Sequence, residues 1–464
     1  MSRSSWTAAP RSLYTPPATD PRYLSSDECH TIFQRIIALS VGGGDTFVTI
    51  EGNWRGNLRW ALNRVTTAGD TIDHTVTITR VIRGAYGESS TNKLDDEGLT
   101  FALRTAERRV QLDKERPDTS PPPPQRTYLQ PHLFDARTIA LTAADRSAAG
   151  QRLVAPAMAA NMLSAGYVEV GARTRGVFNT AGLAAYAVAT AAQYSVTVRS
   201  PQDTGSGWAG VDANDWSKID TAAISQRALR KCIDSANPKA IEPGRYTVIL
   251  EPQAVHDFFF PAIQELDRSS AETLQTAYTQ SPGLSKIGQR LLDPRITVST
   301  DPMDPTCGYI PFDNNGEPYQ ATKWFTNGVL TNLAYDSNYA LTELGQSAPR
   351  PNPYAYRMSG GTTSMEEMIA STMRGVLVTR FSDVMIIDGV SLLCDGLTRD
   401  GLWYVEHGAV KYPIKNFRFS ESPLLAFNNV VALGVPQRVF ARTPAVVPPA
   451  VVRDFHFTSL ADVV

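Results

Sequence analysis

Cysteine is scarce in this sequence: Cys29, Cys232, Cys307 and Cys394 are the four in 464 residues, and no Cys-x-x-Cys pair occurs. A disulfide scaffold needs a far higher density, so these thiols read as reduced and the chain as cytoplasmic. Histidine is scarce as well. The six, His30, His74, His132, His256, His407 and His456, are so widely spaced that no two fall on neighbouring turns of one helix, the arrangement a catalytic zinc commonly uses. Runs of Lys or Arg are missing, and 44 basic against 46 acidic residues leave a net charge of −2 with a pI near 6.3. Nothing there marks a nucleic-acid or anionic-membrane partner. Long apolar runs are missing too. Gly176–Val198 carries no charge and is nominally long enough to span a bilayer, but it is mostly Ala, Thr and Gly, with one Leu and no Ile. Its Tyr194, Val196 and Val198 alternate as in a half-buried strand. The N-terminus shows no apolar core or cleavage pattern of a secretion signal. Secretion, membrane spanning and direct DNA binding are thereby disfavoured.

What the sequence does have is enough apolar content, 42%, for sizeable cores. Single cores stop growing near roughly 250–300 residues, which implies two domains. Residues 1–24 read as a flexible arm rich in Pro, Ser and Thr. Ser25 and Glu28 form a capping-box pattern ahead of Ile32, Phe33, Ile36 and Ile37 at helical spacing. Strands are expected at Thr46–Ile50 and Thr75–Arg83, and a helix follows the acidic start at Asp95. The proline run within 117–125 can neither continue a helix nor pair centrally in a sheet, so it predicts an extended connector. Helices are expected at Ala143–Ser164 and Ala222–Ser235. From residue 238 short β-branched runs separated by Gly, Pro and Asn turns predict strands at Arg245–Leu250, Arg295–Ser299, Gly375–Thr379, Leu402–Glu406, Ala409–Tyr412 and Asn416–Ser420. Glu406-His407-Gly408 predicts a hairpin turn, and helices at Ala262–Ala277 and Ser364–Met373 interrupt the strands. The expected fold class is α+β, with a mixed N-terminal domain over 25–237 and a β-rich, antiparallel, barrel-like domain over 238–464.

Motifs of catalysis are absent. There is no Gly-x-Ser-x-Gly elbow, Ser90-x-x-Lys93 lacks its companion motifs, and Gly42-Gly43-Gly44 lacks the spacing of a phosphate loop. The residues alone display no catalytic machinery.

Longer strings are more specific. Gly84-Ala-Tyr-Gly87-Glu-Ser-Ser-Thr91-Asn92, Ser206-Gly207-Trp208, Glu242-Pro243-Gly244-Arg245-Tyr246, Pro311-Phe312-Asp313, Arg374-Gly375-Val376-Leu377 and Gly401-Leu402-Trp403-Tyr404-Val405-Glu406-His407-Gly408 occur in the order in which similar blocks stand in the TldD/TldE family, the latter also called PmbA. The chain resembles that family over about 380 residues. The resemblance implies a cytoplasmic protein that works as one half of a heterodimer. In such a pair a TldD-like subunit holds zinc through a His-Glu-x-x-x-His helix and a distant cysteine and cleaves unfolded peptides, while a TldE-like subunit has lost those ligands. It also implies links to peptide maturation and to modulation of DNA gyrase.

Carried over by position, the motif should lie just after Glu251-Pro252, where Phe260 and Pro261 fall on the first His and Glu and Glu265 on the last His. A frame shifted to His256-Asp257 puts Pro261 at the second His. The late cysteine is missing as well, since residues 435–464 contain none. One carboxylate leaves at least two ligands unfilled. The expectation is therefore a non-catalytic, TldE-like subunit that binds no metal or other cofactor itself. Its partner is a zinc-bearing TldD-like chain or a second copy of itself, its substrate is an unfolded peptide, and no nucleic acid or membrane is involved. Ser206, Gly207 and Trp208 are the candidate peptide contacts, against the plainer reading of a Gly-rich turn. Two alternatives stand beside this reading. One is a self-sufficient hydrolase with a site rebuilt from His256, Asp257 and Glu265; the other is a homodimeric peptide-binding scaffold.

Overall fold

The computed structural model describes residues 20, 22–115, 122–202, 204–273, 276–346 and 348–461. Most of the expected arm (1–19 and 21) and of the expected connector (117–121) lies outside the described residues. Where the arm is described it is tied down: Tyr23 and Leu24 are buried, and the Arg22 guanidinium sits 5.3 Å from the centre of the Trp54 ring.

Six antiparallel strands make the N-terminal sheet: β1 (Asp45–Ala61), β2 (Arg64–Ile82), β3 (Ala85–Thr91), β4 (Leu163–Asn179), β5 (Ala184–Arg199) and β6 (Ser206–Ala213), in the order β3-β2-β1-β4-β5-β6. Strand side chains alternate between faces. The even-numbered residues Val48, Ile50, Trp54, Leu58 and Trp60 of β1 and Val168 and Val170 of β4 are buried under helices. Helices α1 (Ser26–Leu39) and α2 (Asp96–Val110) cover one half through Ile32, Phe33, Ile36, Leu99 and Leu103. Helices α3 (Ala143–Ala159) and α4 (Thr221–Asp234) cover the other through Leu153, Val154, Ile224 and Ala228. The Ser25–Glu28 capping box forms in full, and Asp95 accepts from the Gly98 amide at 2.7 Å to start α2.

Two expectations in this half need correction. The β1–β2 hairpin is far longer than Thr46–Ile50 and Thr75–Arg83, because Leu62 and Asn63 both take the left-handed conformation that a two-residue hairpin turn requires. Helix α3 stops at Ala159 rather than Ser164. Asn161 is left-handed, and the Met162 amide returns to the Ala157 carbonyl at 2.8 Å, a Schellman-type ending that releases the chain into β4. The Gly42–Gly44 loop is pinned, its Gly43 carbonyl accepting from Arg80 at 3.0 Å.

The C-terminal half closes into a barrel. Strands β7 (Gly244–Leu250), β8 (Arg374–Asp388), β9 (Leu393–Glu406), β10 (Phe417–Glu421) and β11 (Ala450–Leu460) pair in the cycle β8-β7-β11-β10-β9, and β9 returns to β8. All contacts are antiparallel except β7–β8, which is parallel, so the expected antiparallel barrel carries one parallel seam. His407 and Gly408 make the expected tight turn, both with positive φ. A second sheet, with Val298–Thr300, Thr322–Thr326 and Tyr356–Met358 at its centre, packs on the same core. The expected helix Ala262–Ala277 is not formed as such. Helix α5 runs Pro252–Gln264, and a separate short helix spans Arg268–Thr273. Pro252 is at the start of α5, where proline's missing donor costs nothing.

Gly207 of β6 lies directly under α4: a Cβ there would fall on the Ala228 carbonyl oxygen and the Cys232 amide nitrogen, both backbone atoms. Gly207→Ala is expected to destabilise by roughly 1–3 kcal/mol or more, read as a lower denaturation midpoint. Gly69→Ala, which meets nothing within 4 Å, should leave the midpoint in place. Equal midpoints for the two variants would refute this packing.

Candidate functional site

Helix α5 stands where the resemblance puts the metal-bearing helix, and its orientation follows from its aromatic residues. Phe258 points into the barrel, with ring centres 5.2 Å from Phe455, 5.6 Å from Phe419 and 5.8 Å from Phe381. Phe259 lies 5.1 Å from Phe427. With that side committed to the core, the remaining positions face the junction with the N-terminal sheet. At the helix start, Glu251 pairs with Lys231 of α4 at 2.6 Å.

Gln253, His256 and Asp257 of α5 are already partnered, His256 buried and the other two partly so. His256 shares a hydrogen bond of 2.8 Å between Nδ1 and the Tyr356 hydroxyl, and its ring lies against Tyr356 and Phe260. Burial pushes its pKa down to about 4, with the nearby Arg438 charge acting the same way. Asp257 accepts from Gln253 Nε2 at 2.8 Å through Oδ1 and from the Phe381 amide at 3.1 Å through Oδ2. Burial raises its pKa to about 7 against those hydrogen bonds and the Arg380 charge. Gln253 also exchanges two hydrogen bonds with the Phe440 backbone.

The positions assigned to the metal motif do not fit zinc. Phe260 and Pro261 offer no lone pair, and Pro261 is buried. Glu265 caps the C-terminus of α5, about 13 Å along the axis from His256 at 1.5 Å per residue. Its charge acts on Tyr278 and Cys394 instead. His256, Asp257 and Glu265 are therefore not brought together as one site. Among the described residues no group of three or more His, Cys, Asp or Glu side chains could hold a metal ion.

Ser206, Gly207 and Trp208 belong to strand β6, not to a turn, and all three are buried. Ser206 Oγ donates to Asp400 Oδ1 at 2.6 Å, and Asp400 pairs through Oδ2 with Arg380 at 2.9 Å. The Arg380 guanidinium lies 4.8 Å from the centre of the Trp208 ring, which also meets Phe440 edge-on. Asp212 of the same strand pairs with Arg438. Thus β6 and α5 are neighbours across the domain junction, joined through Arg380 and Phe440.

What sequence reasoning did not find is the uncovered face of the N-terminal sheet. Its cross-strand rows are polar: Thr75, Glu51, Arg175 and Ala187 make one, and Asp73, Asn53, Arg173 and Ala189 the next. Arg175 Nη2 donates to Glu51 Oε1 at 2.8 Å. Ala187 and Ala189, which end these rows, are half-buried and pack against the cluster of Leu133, Ile310 and Phe312. Pro311–Pro318 roofs one end, Phe312 packing with Val177, Leu183 and Ala185. Between this face and the loops at 313–319 and 335–354 lies a cleft of about 600 Å³. The only sequence signal was the alternation of Arg173 and Arg175 within β4. Among the described residues strand β2 adds a free edge: β3 pairs only with its residues 76–82, and Arg64–Asp73 are exposed.

Residues 243–459 match the family described as the PmbA/TldA metallopeptidase C-terminal domain. Among curated proteins, the Metalloprotease PmbA homolog of Buchnera aphidicola subsp. Acyrthosiphon pisum (strain APS) is 23% identical over 215 residues, 45% of this chain and 46% of that protein. The match thus spans about half the length of the relative. Three solved structures share the fold. One, from Thermotoga maritima and named for modulation of a DNA gyrase, superposes with a TM-score of 0.82 at 18% identity, covering 92% of this chain and all of that one. TldE from Thermococcus kodakarensis gives 0.79 at 14%, covering 92% and 99%. A Bacteroides thetaiotaomicron protein, also named for gyrase modulation, gives 0.78 at 17%, covering 93% and 98%. The chain shares its fold with these three proteins, and its C-terminal region, residues 243–459, is what resembles the PmbA/TldA metallopeptidase family. Among the described residues no helix is long and apolar enough to cross a membrane; the uncharged stretch Gly176–Val198 falls in strands β4 and β5.

The pair His256 and Asp257 on α5 sets a pH signature. Between about pH 4 and 6.5 the unfolded chain carries a proton on His256 that the native state refuses, so this residue makes stability rise with pH. Asp257 acts in the opposite sense: the native carboxyl keeps its proton up to about pH 7, the unfolded one only to about 3.8, so its contribution is lost as pH rises through that window. The Asp257→Asn variant is expected to gain stability relative to the parent progressively from about pH 4 to 7 and then hold level, measured by denaturant titration at each pH. A difference that stays flat across that range would show Asp257 to titrate as an ordinary carboxylate.

Proposed function

We propose that this chain is a non-catalytic, TldE-like subunit that pairs with a zinc-bearing TldD-like chain in the cytoplasm and forms part of the wall that holds unfolded peptides for cleavage by the partner. The observation that carries the reading is the state of α5. The positions assigned to the metal motif hold Phe260 and Pro261, and its one imidazole is buried on Tyr356. A catalytic zinc needs three protein ligands and an open position, and this helix supplies neither.

The binding half of the proposal draws on the uncovered sheet face and on the free edge of β2. An extended peptide added to such an edge is held by main-chain hydrogen bonds, which tolerate any side chain. That suits substrates whose common property is being unfolded. Ser206 and Trp208, being buried, contribute by joining β6 to the barrel; the peptide contacts are assigned instead to the open face around Asn53 and Thr75.

The test is metal content and peptidase activity of the purified chain, alone and co-purified with a family member that retains His-Glu-x-x-x-His. The expected result is a lone chain that is metal-free and inert, and a pair that holds about one zinc and cleaves an unfolded substrate with chelator sensitivity. Stoichiometric zinc and chelator-sensitive cleavage by the lone chain would overturn the reading.

A further inference from the structure

The cleft against the uncovered sheet face is lined by three arginines and three aspartates, Arg173, Arg175, Arg350, Asp267, Asp313 and Asp336. Formally these charges cancel, but their hydrogen-bonding capacity does not. Each aspartate is engaged in holding its own loop. Asp267 Oδ1 accepts from the Ser270 amide at 2.7 Å, Asp336 Oδ1 from the Tyr339 amide at 2.7 Å, and Asp313 Oδ1 from the amides of Asn315 and Glu317 at 2.8 and 2.9 Å. Burial raises the Asp313 pKa against those amide hydrogen bonds and the Arg175 charge.

The arginines are under-used. A guanidinium has five N–H donors. Arg173 spends one on the Tyr354 hydroxyl at 3.2 Å. Arg350 reaches the Leu333 carbonyl at 3.4 Å and stacks on Tyr335. Arg175 is more than nine-tenths buried and pairs with Glu51, yet its Nε is buried with no hydrogen-bond partner. Guanidinium forks match planar two-oxygen anions in geometry as well as charge. Arg173 and Arg175 stand two positions apart on one face of β4, and Arg350 comes from the loop opposite. The space between them, part of a cleft of about 600 Å³, is otherwise lined by loop residues such as Asn314, Asn352 and Tyr354.

We propose that this cleft binds the free C-terminal carboxylate of an extended peptide lying on the sheet face, with Arg173, Arg175 and Arg350 as its donors. The inference rests on the reading of that face as a peptide wall and deepens it: the chain would select peptides by their end rather than by their sequence.

Three dye-labelled, unstructured hexapeptides of identical sequence separate the possibilities by fluorescence anisotropy. One ends in a free carboxylate, one in a C-terminal amide, and one is amidated with a single internal glutamate. The full chain, alone and in its pair, is expected to bind the free acid roughly tenfold or more tighter than the amide, a difference of about 1.4 kcal/mol. That advantage should disappear in Arg173→Gln and Arg350→Gln, whose side chains are only partly buried, while the amide binds these variants as it binds the parent. Equal binding of acid and amide by the parent chain would overturn the inference and leave the peptide wall standing. A glutamate-bearing amide as tight as the free acid would overturn selection by the terminus. Loss of acid and amide binding together in either variant would also overturn it, as general damage to the face. If none of the three peptides binds, the peptide wall falls, and the inference with it.

Discussion

The packing of Phe258 inside the closed barrel is the constraint on which the junction between the two halves depends. Its ring meets Phe381, Phe419 and Phe455 from β8, β10 and β11, so α5 cannot rotate without emptying the barrel. Residues on a helix repeat every 3.6 positions. Once Phe258 is fixed, the directions of Gln253, His256, Asp257 and Phe260 are fixed with it. Gln253 then meets Phe440, Asp257 meets the Phe381 amide beside Arg380, and through Arg380 and Phe440 the barrel reaches Trp208 of the N-terminal sheet. The side chains of α5 thus serve packing and hydrogen bonds within the fold. An aspartate and a histidine side by side on α5 are tolerated because each is hydrogen-bonded and each shifts toward its neutral form, the compensation low-dielectric surroundings require.

The sheet shows the same economy on a larger scale. One face is covered by four helices whose apolar stripes were visible as three- and four-residue repeats. Among the described residues the other face has no helix, and its central rows are charged or polar, with Phe312 packed on Val177 at one end. A sheet with one solvated face is an ordinary antiparallel design, but here the solvated face looks across a cleft at loops of the second domain.

How much of this was legible follows from which signals are local. Helix α1 with its Ser25–Glu28 box, α2 with Asp95 as cap, and the His407-Gly408 hairpin were readable because their causes lie within a few residues. The length of the β1–β2 hairpin was not, because Leu62-Asn63 is a poor advertisement for a turn; its geometry is imposed by the pairing of the strands on either side. Helix α5 was misplaced because Pro261 inside it is tolerated only by virtue of surroundings that no window of sequence displays. The metal-motif positions were located through family resemblance, and the structure places them on the expected helix, yet it separates Glu265 from His256 by most of that helix's length. The arginine cleft was invisible because its members come from β4 and from residue 350, and only the folded chain makes them neighbours.

The order in which the strands pair bears on how the chain reaches this state. The centre of the N-terminal sheet pairs Phe47 with Asn179, and the barrel pairs Leu250 of β7 with Ala450 of β11. Contacts of such sequence separation are slow to form because the loop entropy is spent before they return anything. During synthesis β7 emerges with its apolar residues long before β11 exists to close against it, whereas the N-terminal sheet has all six of its strands by residue 213. The first half can therefore be complete on the ribosome while the second still waits for its closing strand, and the folded sheet, with Lys231 already in place to receive Glu251, is the surface on which the barrel is finished.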